Sequence, residues 1–159
     1  MRKGYIIEAG GTEKMKILVI NGPNLNLLGS REPDIYGKQD YAALLSKLDD
    51  FAKTHDITID AFQSNSEGAL IDKIHAATGI YDGIVINPGA YTHYSIAILD
   101  ALKAVDVPAV EVHLSNIASR EDFRHTSVTA AGCIGQISGL GFDSYFLAIT
   151  GLMSRNKQN

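Results

Sequence analysis

The chain has 159 residues, 45% of them hydrophobic and 20% charged, the proportions of a single globular domain. Its net charge of −4 offers no basic surface to nucleic acid or an anionic membrane, and its one cysteine excludes an internal disulfide. No apolar run approaches the roughly 20 residues needed to span a bilayer.

Residues 1–14 ("MRKGYIIEAGGTEK") mix charges and three glycines without a period. They read as a flexible N-terminal extension or a start-site artefact, and lack the apolar core of a signal peptide. A cytoplasmic protein with one domain over residues 15–159 is expected.

"KILVIN" (16–21) is a continuous apolar run, as for a strand buried on both faces. Tyr41, Leu44, Leu45, Leu48, Phe51 and Ala52 then mark one helix face. "ITIDAFQ" (57–63) alternates like a strand, Leu70, Ile71, Ile74 and Ala77 form a second helical stripe, and "DGIVINP" (82–88) is a third strand. Ile96, Leu99, Leu102 and Val105 predict a third helix, and "PAVEVHL" (108–114) a fourth strand. A short helix is expected near Ser119, with Glu121 and Asp122 in its first turn. "AGCIGQI" (131–137) reads as a fifth strand, its Cys133 a small packed hydrophobe rather than a nucleophile. Tyr145, Phe146, Ile149, Leu152 and Met153 mark a last helix. Repeated βα units imply a doubly wound, flavodoxin-like, five-stranded parallel sheet with helices on both faces.

In such sheets ligands bind beyond the C-terminal strand ends, and the polar residues gather there. The relevant stretches are "NGPNLNLLGSREPDIYG" after strand one, "NPGAYTHYS" after strand three, and "EVHLSN" with "SREDFRHTS" after strand four. Of five arginines, Arg2 and Arg155 lie near the termini; Arg31, Arg120 and Arg124 all lie in these loops. Their planar forks fit a carboxylate or phosphate, although ion pairs with Glu32, Glu121 or Asp122 would explain them equally.

Glu111 and His113, two apart on one strand, share a face. A carboxylate there can orient the imidazole and favour its protonated form, making His113 a general acid; a structural histidine is the other reading. His93 is expected at the start of the third helix, within reach of a ligand oxygen. A metal held by His93, Glu111 and His113 lacks supporting ligand spacing, and an arginine-rich site suits an anion better. No GK[ST] phosphate loop is present.

Together, in this order, the four motifs closely resemble type II 3-dehydroquinate dehydratase, over Met15 to about Met153. The resemblance implies a cofactor-free, metal-free catalytic domain in a homo-dodecamer, a tetramer of trimers. It implies the reversible dehydration of 3-dehydroquinate to 3-dehydroshikimate by anti elimination through an enolate, in the shikimate pathway. By resemblance Tyr36 is the base that takes the C2 proton, and Arg31 the lid arginine that favours its phenolate. Asn24 holds a water at the enolate, His113 protonates the departing C1 hydroxyl, and Glu111 is its partner. Asn87, His93 and Arg124 bind substrate hydroxyls. The backbone amides of Leu114 and Ser115 bind the carboxylate, Asp100 reaches a neighbouring subunit's site, and Arg120 lies near the lid. Tyr94 and Leu99 depart from the common pattern, where a smaller residue and an arginine are frequent.

The chemistry is consistent with these roles. A free phenol, with a pKa of about 10, is a poor base at neutral pH until a cation lowers it. Hydroxide leaves well only as water, hence the acid. The competing reading is a non-catalytic module that binds a nucleotide or small anion on the same fold. "SREPDIYGKQ" (30–39), which carries Arg31 and Tyr36 between Pro33 and Gly37, reads as a lid whose closure assembles the site.

Overall fold

The computed structural model describes residues 13–30 and 39–158. Arg31, Tyr36 and the rest of the expected lid between Ser30 and Gln39 lie outside the described residues, as does the expected extension apart from Glu13 and Lys14.

Five strands, β1 (Lys16–Asn21), β2 (Thr58–Gln63), β3 (Gly83–Asn87), β4 (Ala109–His113) and β5 (Gly135–Ser138), form one parallel sheet in the order β2-β1-β3-β4-β5. Among the described residues the α-helices are α1 (Tyr41–His55), α2 (Glu67–His75), α3 (Ile96–Ala104) and α4 (Asp143–Asn156). Asp40 caps the N-terminus of α1, its Oδ1 accepting the Ala43 N–H at 2.8 Å. Ser66 and Ser95 cap α2 and α3 in the same way.

The continuous apolar runs follow from the two-sided burial. Ile17 and Val19 of β1, Val85 of β3, and Val110 and Val112 of β4 point to one face, where they pack on Leu44 and Leu48 of α1 and on Tyr145, Ile149 and Leu152 of α4. The alternate residues Leu18, Ile20, Ile84, Ile86 and Ala109 pack on Leu70 and Ile74 of α2 and on Ile98 and Leu102 of α3. Each large aliphatic side chain removed from water this way is worth about 1.5–3 kcal/mol.

From β1 the chain winds first to β2 at one edge and then back across to β3, so the order reverses beside β1 and β3. There Asn21 and Asn87 pair in register, with β4 and His113 next in the sheet. Gly22 follows Asn21 and donates its N–H to the Asn87 carbonyl at 2.8 Å. A Cβ at Gly22 would lie 2.3 Å from the Pro88 carbonyl oxygen, so only glycine lets the two loops meet.

Three expectations need correction. The fifth strand is Gly135–Ser138, not 131–137, because a 3-10 turn over Thr129–Gly132 occupies the earlier residues. The short helix near Ser119 is two 3-10 turns, Ile117–Ser119 and Asp122–Arg124. Extended backbone at Arg120 (φ −93°, ψ −164°) separates them. His93 ends a 3-10 turn over Gly89–His93, and α3 begins three residues later at Ile96. Among the described residues no helix is long and apolar enough to cross a membrane.

Candidate active site

The loops after β1, β3 and β4 enclose a cleft of about 290 Å³ at the C-terminal edge of the sheet. Eight predicted site residues line it: Asn24, Asn87, His93, His113, Leu114, Ser115, Arg120 and Arg124. Glu111 lies one pleat behind His113 and is fully buried. Asp100 is not among the lining residues; it is exposed on α3. A larger hollow of about 440 Å³ lies at the opposite edge, beside Lys16 and Asp82, and has no histidine. Acid–base chemistry therefore points to the smaller one.

Glu111 and His113 point the same way from β4, as period two requires. His113 Nε2 lies 2.7 Å from Glu111 Oε1, and the imidazole is 7% exposed. Thr92 and Ser127 hydroxyls donate to Oε1 at 2.7 Å and the Gln136 amide at 2.8 Å, while the Thr129 hydroxyl donates to Oε2 at 2.5 Å. Burial alone would raise the Glu111 pKa. Hydrogen bonds from His113, Ser127, Thr129 and Thr92 outweigh burial and hold it at about 2. The carboxylate thus fixes the Nε2–H of His113, whose Nδ1 has no hydrogen-bond partner among the described residues. That nitrogen can carry a proton to a molecule in the cleft.

Other lining residues are held from behind. Asn24 sits in the left-handed region (φ 67°), and its N–H donates to Asn65 Oδ1 at 3.0 Å. Asn87 donates from Nδ2 to the Tyr145 hydroxyl at 3.0 Å and accepts the Gly89 N–H at 3.2 Å. Tyr145 in turn donates to Asn21 Oδ1 at 2.6 Å, and burial pushes its pKa up, so it stays a phenol. His93 donates Nδ1–H to the Thr126 carbonyl at 2.9 Å, which leaves Nε2 to accept from a hydroxyl.

At the rim the expected ion pairs with Glu121 form. Arg120 and Arg124 approach Glu121 Oε2 at 3.7 and 3.1 Å, and both line the cleft. Arg124 Nε is poorly aligned with that oxygen and makes no hydrogen bond among the described residues. Two guanidinium groups against one carboxylate leave a positive rim suited to an anion. The loop hydrogen bonds give the N–H groups of Leu114 and Ser115 no acceptor among the described residues. No cluster of three or more His, Cys, Asp or Glu among the described residues is placed to hold a metal. Cys133 lies near Glu111; burial and then that charge push its thiol up to about 12, in keeping with an inert packed side chain.

The sequence reading missed Thr92, Ser127, Thr129 and Gln136 around Glu111, and Asn65, Asn21 and Tyr145 behind the asparagines. "HTSVT" (125–129), with three hydroxyls in five residues just after Arg124, was the available signal. Nothing local ties Gln136 or Tyr145 to the site.

The family model Dehydroquinase class II matches residues 15–153. A 3-dehydroquinate dehydratase of Lachnoclostridium phytofermentans is 59% identical over 143 residues, covering 89% of this chain and 99% of that protein. One of Clostridium perfringens is 58% identical over 144 residues, covering 90% and 100%. The crystal structure of a type II dehydroquinase from Butyrivibrio crossotus superposes with a TM-score of 0.84 at 55% identity, covering 87% of this chain and 97% of that one.

Proposed function

The chain belongs to the class II dehydroquinase family and dehydrates 3-dehydroquinate to 3-dehydroshikimate in the shikimate pathway; from that premise we propose how its residues divide the reaction. Tyr36, its phenolate favoured by Arg31, removes a C2 proton, and the C–H electrons form an enolate with the C3 ketone. A water held by Asn24 stabilises the enolate oxygen. Collapse of the enolate forms the C1–C2 double bond and expels the C1 hydroxyl, which takes the proton of His113 and leaves as water. Asn87, His93 and Arg124 bind substrate hydroxyls, Leu114 and Ser115 amides bind the carboxylate, and Arg120 adds charge at the rim. The buried Glu111–His113 pair, with one imidazole nitrogen open to the cleft, carries this reading.

The roles of Tyr36 and Arg31 rest on the motif resemblance. With 3-dehydroquinate, the conjugated enone product should absorb in the ultraviolet, and Tyr36→Phe should abolish its appearance without unfolding the protein. Near-normal turnover by Tyr36→Phe contradicts the assignment of the base.

A cytoplasmic dodecamer, a tetramer of trimers, completes the proposal. Asp100, exposed on α3 outside the chain's own cleft, suits a residue that serves a neighbour's site. Light scattering should give a mass about twelve times the 17.1 kDa chain, and cell fractionation checks the location. A monomeric mass in active protein contradicts the assembly.

A further inference from the structure

The donors around Glu111 are distributed unevenly. Oε1 faces His113 and accepts from Thr92, Ser127 and Gln136 as well, whereas Oε2 has Thr129 alone among the described residues. We propose that Thr129 is a positioning residue for the acid chemistry: by occupying Glu111 Oε2 it keeps the transferable proton on His113. The inference rests on His113 as the general acid.

A hydroxyl has one proton to give. Thr129 Oγ1 is 2.8 Å from Thr92 Oγ1 and 2.5 Å from Glu111 Oε2, and an ionised oxygen is the stronger acceptor. Its proton therefore points to Oε2. A proton leaving His113 for Oε1 would have to displace the donors already crowding that oxygen. Oε2 without Thr129 would be a buried, unpartnered carboxylate oxygen, which favours protonation. Once Glu111 were protonated, it would no longer offer His113 Nε2 an ionised acceptor.

The turn that carries Thr129 is pinned for this task. Thr129 is fully buried. The Val128 N–H donates to the Thr92 carbonyl at 2.7 Å. A Cβ at Gly132 would lie 2.9 Å from Leu102 Cβ, so the glycine lets the turn seat directly on α3. Among the described residues the titratable groups that face Glu111 are His113 on its own strand and Cys133 before β5. The Cys133 thiol stays neutral at working pH, so it does not decide the charge of Glu111.

Thr129→Val keeps the shape and deletes the donor. It should lower kcat by about tenfold or more while KM changes less than about twofold. Difference infrared spectra between pH 7 and pH 5 should show a carboxylic-acid C=O band in Thr129→Val. Relative to wild type, whose exposed carboxyls already absorb weakly there at pH 5, this is an added band, and it should be missing from Thr129→Val combined with Glu111→Gln. Thr129→Ser should restore both the rate and the carboxylate signature. Gln136→Leu, which leaves Oε1 three donors, should lose less rate than Thr129→Val. If Thr129→Val does not fold, Thr129→Cys, a weak donor of similar size, should show the same band with an intermediate rate. A rate loss without the band overturns the role of Oε2. The band without a rate loss overturns the link to His113. Equal losses from Gln136→Leu and Thr129→Val overturn the special place of Thr129. Wild-type turnover and the infrared band are read separately, so failure of the acid assignment is distinguishable from failure of this inference.

Discussion

Glu111 pairs in register with Ile86 of β3 and Gln136 of β5, and it stays charged because five donors replace water. This has a consequence for stability. The folded-state pKa is depressed from 4.5 to about 2, so the contribution is complete above the unfolded value. It is lost as pH falls from 4.5 towards 2, in total about 3 kcal/mol. Urea unfolding at pH 7, 4 and 3 should show this decline in wild type and a flatter dependence in Glu111→Gln. An identical decline in both would place the acid sensitivity elsewhere. Glu111→Gln should also impair turnover, since a neutral amide oxygen is a weaker acceptor for Nε2 than the carboxylate.

At the scale of elements, the C-terminal helix supports the site without touching it. Tyr145 of α4 spans Asn21 and Asn87 at the ends of β1 and β3. Tyr145→Phe leaves both asparagines buried with a lost partner and should cost about 1–3 kcal/mol. With Asn87 in its proposed role as a binding residue, it should raise KM more than it lowers kcat. Thermal unfolding and steady-state rates check both, and an unchanged KM would show that Asn87 needs no such brace. The sheet and its four helices were legible because strand-like runs such as "KILVIN" and the stripes of α1 and α4 are periodic. What the periods did not reveal has physical causes. The 3-10 turns at 117–124 and 129–132 are set by capping bonds and by seating against α3, neither of which leaves a repeat. Glu111 and His113 were visible through their spacing on one strand. Gln136 and Tyr145 were not, because only the folded sheet brings β5 and α4 to them.

For the whole molecule, the strand order explains why one edge carries the chemistry. The winding reverses beside β1 and β3, and the loops that follow them line the cleft, with β4 bringing His113 to the same edge. Asp100, outside that cleft, is where assembly would enter the reaction. The proposed reaction turns on His113, held by Glu111, supplying the proton that the leaving hydroxyl needs. The most direct measurement is enone formation from 3-dehydroquinate by wild type and by His113→Gln. That substitution retains an amide able to donate to Glu111 but has no titratable proton to deliver. With His113 as the acid, kcat should fall by about a hundredfold or more, with folding intact and KM little changed. A variant rate within a few-fold of wild type would contradict it.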